Sequence, residues 1–129
     1  MTATSVTSLC ATPPAVLLCV NRAAGFYSAI SGSAFFAVNL LHRSQAEISQ
    51  AFGGRLEPKE RFSRGMWEYT PDGMPYLVDA QAALFCQNEG VSFNYGTHGV
   101  FVGRVLRVRI AGELAPLIYQ DGKYLSATH

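Results

Sequence analysis

Hydroxyl side chains are concentrated at the start of the chain, where residues 2–8 contain five of them. In a β-strand, the even-numbered residues of this segment point to one face and the odd-numbered residues to the other. Small side chains let a flat ligand approach closely, so that both hydroxyls and peptide groups can bond to its polar edge. An exposed threonine-rich edge strand, or a disordered start of the chain, explains the same pattern without a ligand.

Two apolar segments follow, and each ends next to polar side chains. Residues 15–20 form a continuous apolar run, which predicts a strand buried on both faces, and Asn21-Arg22 lie directly after it. Residues 23–34 fit a short helix. Residues 35–41 predict a second buried strand that contains one amide, Asn39, whose hydrogen bonds must be satisfied inside the fold.

The remaining elements are predicted from capping and turn residues. Ser44 is a candidate N-cap with Glu47 at the capping-box position, and Gly53-Gly54 would end that helix. Pro71-Asp72-Gly73 and Asp121-Gly122 each predict a hairpin turn. Between them, two long strands at 80–93 and 100–110 are joined by a tight connection at residues 96–99.

The second long strand carries arginines at alternate positions. Arg107 and Arg109 share one face, and Leu106, Val108 and Ile110 share the other. We expect the arginine face, together with Arg104, to be solvated. Docking of NAD(P)H phosphates is the alternative role for these cations.

Composition and charge restrict the functional class. The 129 residues are 49% hydrophobic and 15% charged, which predicts one domain, 1–129, with a buried core. A formal net charge of +1 argues against a nucleic-acid or membrane surface. Three widely spaced cysteines predict reduced thiols of a cytoplasmic protein, and neither these nor the three histidines show the spacing of a metal site.

Strands at short spacing, with two short helices, indicate a closed antiparallel barrel. Five ordered segments also resemble a known family. They are residues 2–8 with Pro13-Pro14, Asn21-Arg22, residues 36–41, Gly96-Thr97-His98 with residues 100–105, and residues 117–124. The chain is similar to the short-chain flavin reductases, which are the NAD(P)H:flavin oxidoreductase components of two-component flavin monooxygenases.

The resemblance implies a mainly β, FMN-binding split barrel of Greek-key type with two short helices. It also implies a homodimer that reduces FMN or FAD with NADH or NADPH and releases the reduced flavin to a flavin-dependent oxygenase. The expected contacts of the flavin ring are Thr2, Ala3, Thr4 and Ser5. Those of the ribityl and phosphate side are Ser8, Cys10, Asn21 and Arg22.

Four further residues receive roles from the resemblance. His98 would face the nicotinamide or the flavin edge as the catalytic residue. Asn39 would bond the flavin or brace a neighbouring strand. Tyr119 and Tyr124 would wall the cofactor pocket or pack in the core.

The chain departs from the family pattern in two regions. Family members have a helix and further strands ahead of the segment that matches Thr2, and they commonly carry serines where this chain has Ala23 and Gly25. Tyr27 stands where histidine is frequent. Two other interpretations therefore stay open: a flavin-binding electron carrier without a nicotinamide site, and a truncated domain that serves only for interaction.

Overall fold

In the computed structural model the chain is mainly β, and the structure describes residues 1–3, 5–55 and 58–126. The described strands are β1 (Val6–Ala11), β2 (Pro14–Asn21), β3 (Phe35–Leu40), β4 (Trp67–Tyr69), β5 (Pro75–Leu77), β6 (Ala82–Tyr95), β7 (His98–Ile110), β8 (Leu117–Gln120) and β9 (Lys123–Ser126). The helices are α1 (Gly25–Ser31), α2 (Ala46–Gln50) and α3 (Pro58–Arg61), with a 3₁₀ turn at Arg43–Gln45 and a π-type turn at Ala51–Arg55.

The largest sheet has the strand order β1-β2-β7-β6-β3, and two separate hairpins are formed by β4-β5 and β8-β9. Strand β2 is antiparallel to both of its neighbours, and its pairing with β7 runs from Ala15 opposite Arg104 to Asn21 opposite His98. Two residues, Gly96 and Thr97, connect β6 to β7. This pairing brings the end of β2 beside the turn that precedes β7.

The chain forms two compact units. One comprises Met1–Thr4, Val38–Ala83 and Val108–His129, and the other comprises Ser5–Ala37 and Leu84–Arg107. The first unit buries Ala51, Met74, Leu77, Ala80, Ala82, Ala83 and Ala115. The second unit buries Ala15, Val16, Leu18, Val20, Ile30, Phe36, Phe85, Cys86, Val100 and Phe101.

Most strands predicted from sequence are confirmed, but the first begins later than expected. Strand β1 starts at Val6, so Thr2 and Ala3 precede it, and Thr4 lies outside the described residues. The backbone N–H of Thr2 donates to the carbonyl of Phe52 (2.9 Å). Because this peptide group is paired with the helical segment, Thr2 takes no place in the ladder between β1 and β2.

The predicted capping box is displaced by two residues. His42, and not Ser44, precedes the helical segment: its Nδ1 accepts from the backbone N–H of Ser44 (3.1 Å), and its own N–H donates to Oε1 of Gln45 (2.8 Å). Glu47, which was expected to complete the box, instead pairs with Arg64 (2.7 Å). An imidazole nitrogen can replace a hydroxyl as the cap because it also accepts one of the unpaired N–H groups of the first turn.

Gly103 is required by close packing in the middle of β7. A Cβ atom built at this position would overlap the Phe36 ring and lie 3.1 Å from Cβ of the fully buried Cys86. Neither neighbour can move easily, since both Phe36 and Cys86 are buried side chains. Packing, and not a turn, therefore selects glycine here.

Replacing this glycine tests the packing directly. We expect Gly103→Ala to lower the free energy of unfolding by about 1–3 kcal/mol, the usual range for overpacking a core. Gly53→Ala is the matched control, because a Cβ built there meets nothing within 4 Å. Urea unfolding of both variants measures the difference, and equal stabilities would contradict this account of Gly103.

Candidate functional site

Arg22 holds the turn between β6 and β7 at two points. Its backbone N–H donates to the carbonyl of Thr97 (2.8 Å), and its Nη2 donates to the carbonyl of Gly96 (2.9 Å). A charged guanidinium makes a stronger hydrogen bond to a carbonyl than a neutral donor does. The Gly96-Thr97 turn is therefore clamped by the residue that follows β2.

His98 lies next to this clamp, as the first residue of β7 and opposite Asn21. The prediction that placed it within the connecting turn is wrong, because the turn consists of Gly96 and Thr97 alone. Its Nδ1 lies 2.8 Å from Oγ1 of Thr97. This hydrogen bond orients the exposed imidazole and leaves Nε2 as the ring nitrogen that a ligand can reach.

Asn21 shapes the chain between β2 and α1. Its Oδ1 accepts from the backbone N–H of Ala23 (2.9 Å), and its carbonyl accepts from the backbone N–H of Ala24 (3.0 Å). Such asparagine turns are a common way to leave a strand. The observed contacts of the Asn21 side chain are therefore structural, although the residue itself is exposed.

The predicted ligand residues of the first hairpin lie on an edge strand. Ser8 and Cys10 are exposed on β1, where Ser8 pairs with Val16 and Cys10 Sγ donates to the Pro13 carbonyl (3.0 Å). Ser5, just before β1, donates its hydroxyl to the Cys19 carbonyl (3.1 Å). Of these hydroxyls, that of Ser5 is already used to attach the segment to β2.

The three cysteines are free thiols. Cys10 is exposed, Cys19 is half-buried and Cys86 is buried. Burial raises the pKa of the Cys86 thiol to about 11, because the desolvated thiolate is disfavoured. Cys86 therefore stays protonated and serves as a small apolar group in the core.

Thr2 and the last hairpin meet at Ser49. The Thr2 hydroxyl donates to the Ser49 carbonyl (2.5 Å), and the Tyr124 hydroxyl donates to Ser49 Oγ (3.0 Å). The rings of Tyr124 and Tyr119 lie 5.1 Å apart, with Tyr124 half-buried and Tyr119 exposed. Thus three predicted cofactor residues are linked to one another through a serine that no motif had indicated.

Asn39 acts as a brace within the structure. Its Oδ1 accepts from the backbone N–H of Leu77 (3.0 Å), so β3 supplies a partner to a peptide group of β5. Leu77 is fully buried. This satisfies the amide that the sequence placed inside an apolar strand, and of its two predicted roles the bracing one is observed.

The arginine face of β7 is not simply solvated. The guanidinium of Arg107 lies over the Phe85 ring at 5.2 Å. That of half-buried Arg109 lies over the Tyr76 ring at 5.4 Å and donates to the Val78 carbonyl (2.8 Å). The Tyr76 hydroxyl in turn donates to Glu68 (2.9 Å), and this bond raises the pKa of Tyr76. The expectation of a solvated face is confirmed for exposed Arg104 and is wrong for Arg109, which is held by packing.

Sequence reasoning also missed a cleft of about 370 Å³ that is lined by His42, Ser44, Asp79, Ala111, Gly112 and Glu113. In it, His42 Nε2 lies 3.8 Å from Glu113, which also lies 3.8 Å from Arg43. Across the described ranges, no group of three histidine, cysteine or acidic side chains is arranged to hold a metal ion.

Comparison with known proteins identifies the family. Residues 1–128 match the family described as the flavin reductase like domain. The chain belongs to this flavin reductase-like family. It is 36% identical, over 99% of its length and 71% of the relative's, to the reductase component of an FADH(2)-dependent resorcinol hydroxylase from Rhizobium sp. (strain MTP-10005).

Two further relatives support the assignment. The FMN reductase (NADH) RutF of Pseudomonas syringae pv. syringae (strain B728a) is 36% identical over 95% of this chain and 68% of that protein. The crystal structure of nitrilotriacetate monooxygenase component B from Mycobacterium thermoresistibile superposes with a TM-score of 0.88 at 30% identity, covering 96% of this chain and 69% of that one. Both the predicted family and the predicted fold class, a mainly β split barrel, are confirmed.

Two groups of predicted site residues in this flavin reductase-like chain are brought together, each within one unit. Asn21, Arg22 and His98 meet where β2 and β7 begin their pairing. Thr2, Tyr119 and Tyr124 meet around Ser49. A signal for Ser49 exists in the sequence, since a serine three residues after Ala46 and three before Phe52 falls on the apolar face of a short helix. No helix among the described residues is both long and apolar enough to cross a bilayer.

The clamp at Arg22 has a measurable consequence. We expect Arg22→Met to lower the hydrogen-exchange protection factor of the backbone amide at position 22 by about tenfold, because this N–H shares the clamp with the lost guanidinium bond. Arg104→Met, a change of an exposed arginine on β7, is the control. An unchanged protection factor at position 22 in the first variant, measured by NMR, would show that the guanidinium does not hold the turn.

Proposed function

We propose that this protein reduces FMN or FAD with NADH or NADPH and releases the reduced flavin to a separate flavin-dependent oxygenase. The observation that carries the proposal is the family match over residues 1–128, together with the Arg22 and His98 geometry at one end of β2 and β7. Relatives named as an FMN reductase using NADH and as the reductase component of a hydroxylase support it.

The residues present fit a flavin on chemical grounds. The exposed guanidinium of Arg22 carries five donors in a planar fork, one of which goes to the Gly96 carbonyl, and this geometry suits a phosphate. Ser8, Cys10 and Asn21 are exposed as well and supply small polar groups for a ribityl chain. Because this chain has Ala23 and Gly25 where relatives commonly carry serines, Arg22 is the main proposed phosphate ligand in this unit.

On the family resemblance, the start of the chain and the last hairpin are proposed to contact the polar edge and face of the flavin ring. Thr2 and Ala3 offer backbone and side-chain groups, and Thr4 is included on the family resemblance alone, since it lies outside the described residues. Ser5 is proposed as a backbone contact. Tyr119 and Tyr124 would wall the ring, while Asn39 is proposed to support it indirectly through its hydrogen bond to Leu77.

A bound flavin would supply the hydride acceptor for the nicotinamide. The chain's own task is to bind both partners at the right distance and to exclude alternatives, without acid–base chemistry of its own. In our proposal, His98 contacts the nicotinamide through Nε2, with the imidazole plane held by Thr97 at Nδ1. A ring that is already fixed loses less conformational entropy when the nicotinamide binds than a mobile ring would lose.

We also propose that the protein is a homodimer. On β7, Val108 and Ile110 are 53% and 69% exposed, and Leu114, four residues after the strand, is 72% exposed. Meanwhile the alternate residue, Arg109, is turned inward against Tyr76. A strand that exposes its aliphatic residues and covers its arginine is expected where the aliphatic face is buried by another chain.

Two smaller proposals accompany this function. We propose that residues 1–129 act as one flavin reductase domain, on the support of a family match that runs through both units. We propose a cytoplasmic location, on the support of three free cysteines. No role for nucleic acid or a membrane is proposed.

The enzymatic proposal is tested with purified protein, NADH or NADPH, and FMN or FAD in air. We expect steady oxidation of the nicotinamide that depends on added flavin. His98→Ala should lower kcat/KM for the nicotinamide by about tenfold and leave the flavin affinity within twofold, because the imidazole is proposed to orient the reductant only. Absorbance at 340 nm and quenching of flavin fluorescence measure the two quantities.

His42→Asn is the control, since it removes a histidine outside the proposed site and keeps an acceptor for the cap at Ser44. If flavin binds but no nicotinamide is oxidised by the wild type, the protein is an electron carrier and the enzymatic proposal fails.

Release of the reduced flavin is tested by gel filtration of the protein after its flavin has been reduced without oxygen. Reduced flavin that elutes with the protein would contradict transfer to an oxygenase.

The dimer is tested by light scattering on the double variant Val108→Lys/Ile110→Lys. We expect the wild type to have twice the mass of one chain and the variant to be monomeric, because two lysines cannot be buried against an apolar partner surface without pairing. Tyr69→Lys alters another exposed apolar side chain, 60% exposed on β4, and should leave the dimer intact. A monomeric wild type, or a dimeric double variant, would refute this interface.

A further inference from the structure

Ser49 is one of two buried polar side chains in the described part of the chain, with 5% of its surface exposed. It lies in α2, between half-buried Ile48 and exposed Gln50. Buried hydroxyls are rarely neutral in a fold, because an unsatisfied one is costly. The partners of Ser49 therefore indicate why a serine stands there.

The Ser49 carbonyl fixes the segment that precedes β1. The Thr2 hydroxyl donates to this carbonyl, and the Thr2 backbone N–H donates to the Phe52 carbonyl at 2.9 Å. Thr2 is thus bound at two points, three residues apart on the same helical segment. Neither bond uses the Ser49 side chain, so the backbone of α2 and of the π-type turn after it would suffice to hold Thr2.

The Ser49 hydroxyl fixes a second segment. It accepts from the Tyr124 hydroxyl at 3.0 Å, and the Tyr124 ring packs against that of Tyr119 at 5.1 Å. Tyr119 and Tyr124 face each other across the β8-β9 hairpin. The hydroxyl of Ser49 consequently sets where this tyrosine pair lies relative to the helix that holds Thr2.

We propose that Ser49 is a positioning residue for flavin binding, which holds the Thr2-Ala3 segment and the Tyr119-Tyr124 pair at one fixed separation. This inference rests on the proposed function, in which both groups contact the flavin ring. Ser49 touches no cofactor itself. It acts through Tyr124, and its loss should change how well the flavin is bound more than how fast the bound flavin is reduced.

The test compares Ser49→Ala and Tyr124→Phe, each of which removes one partner of the same hydrogen bond. We expect each to raise the KM and Kd for flavin by about fivefold, while kcat at saturating flavin changes by less than twofold. The double variant should be no weaker than either single one, because the second change finds the bond already broken. Ser63→Ala is the control, since it removes a different hydroxyl hydrogen bond, the one that Ser63 donates to the Glu60 carbonyl, away from this contact.

The outcomes separate the inference from the function on which it rests. If the wild type binds flavin and oxidises NADH, but both single variants keep wild-type flavin affinity, the inference is overturned, even if their melting temperatures fall. Additive losses in the double variant would also overturn it. A wild type that binds no flavin overturns both proposals. Should Ser49→Ala not fold, Tyr124→Phe decides the question, since the same rise in KM and Kd for flavin with a nearly unchanged kcat is expected of it.

Discussion

The backbone pairing of β2 with β7 is the interaction on which the candidate site depends most. It aligns Asn21 with His98 and so carries Arg22 to the carbonyls of Gly96 and Thr97. The same strand, β7, has glycines where neighbouring side chains pack across it. Gly103 admits the Phe36 ring and Gly99 admits that of Tyr27, whose Cε2 would lie 2.9 Å from a Cβ atom at residue 99. Packing and site geometry are therefore set by the same strand.

The candidate residues fall into an electrostatic group and a packing group. Around Arg22, a permanent cation is held by the Gly96 carbonyl and remains exposed. Around Ser49, neutral hydroxyls link segments that are far apart in sequence, and this fixes positions without supplying charge. Charge and position are thus supplied by two different sets of residues.

Short-range signals predicted much of the secondary structure. The Asp121-Gly122 pair has φ values of 53° and 72°, as a tight hairpin turn requires, and it joins β8 to β9 where the sequence indicated. The apolar run after Pro14 is β2, and the alternating run after Thr97 is β7. Prediction was poorer where two neighbouring residues could serve as the helix N-cap. His42 is the N-cap instead of Ser44, because the Gln45 side chain makes the reciprocal hydrogen bond that was expected from Glu47.

Local patterns and an ordered set of motifs were enough to predict the family, the mainly β class and most strand positions. They also indicated Arg22 and His98 as residues close to strand ends. Three further features are visible only in the folded chain: Arg22 clamps the turn before His98, Arg109 packs inward while Ile110 faces outward, and Ser49 joins Thr2 to Tyr124. Each of these contacts joins residues 33 to 75 positions apart, or sets which face of a strand is covered, and periodicity within one element encodes neither.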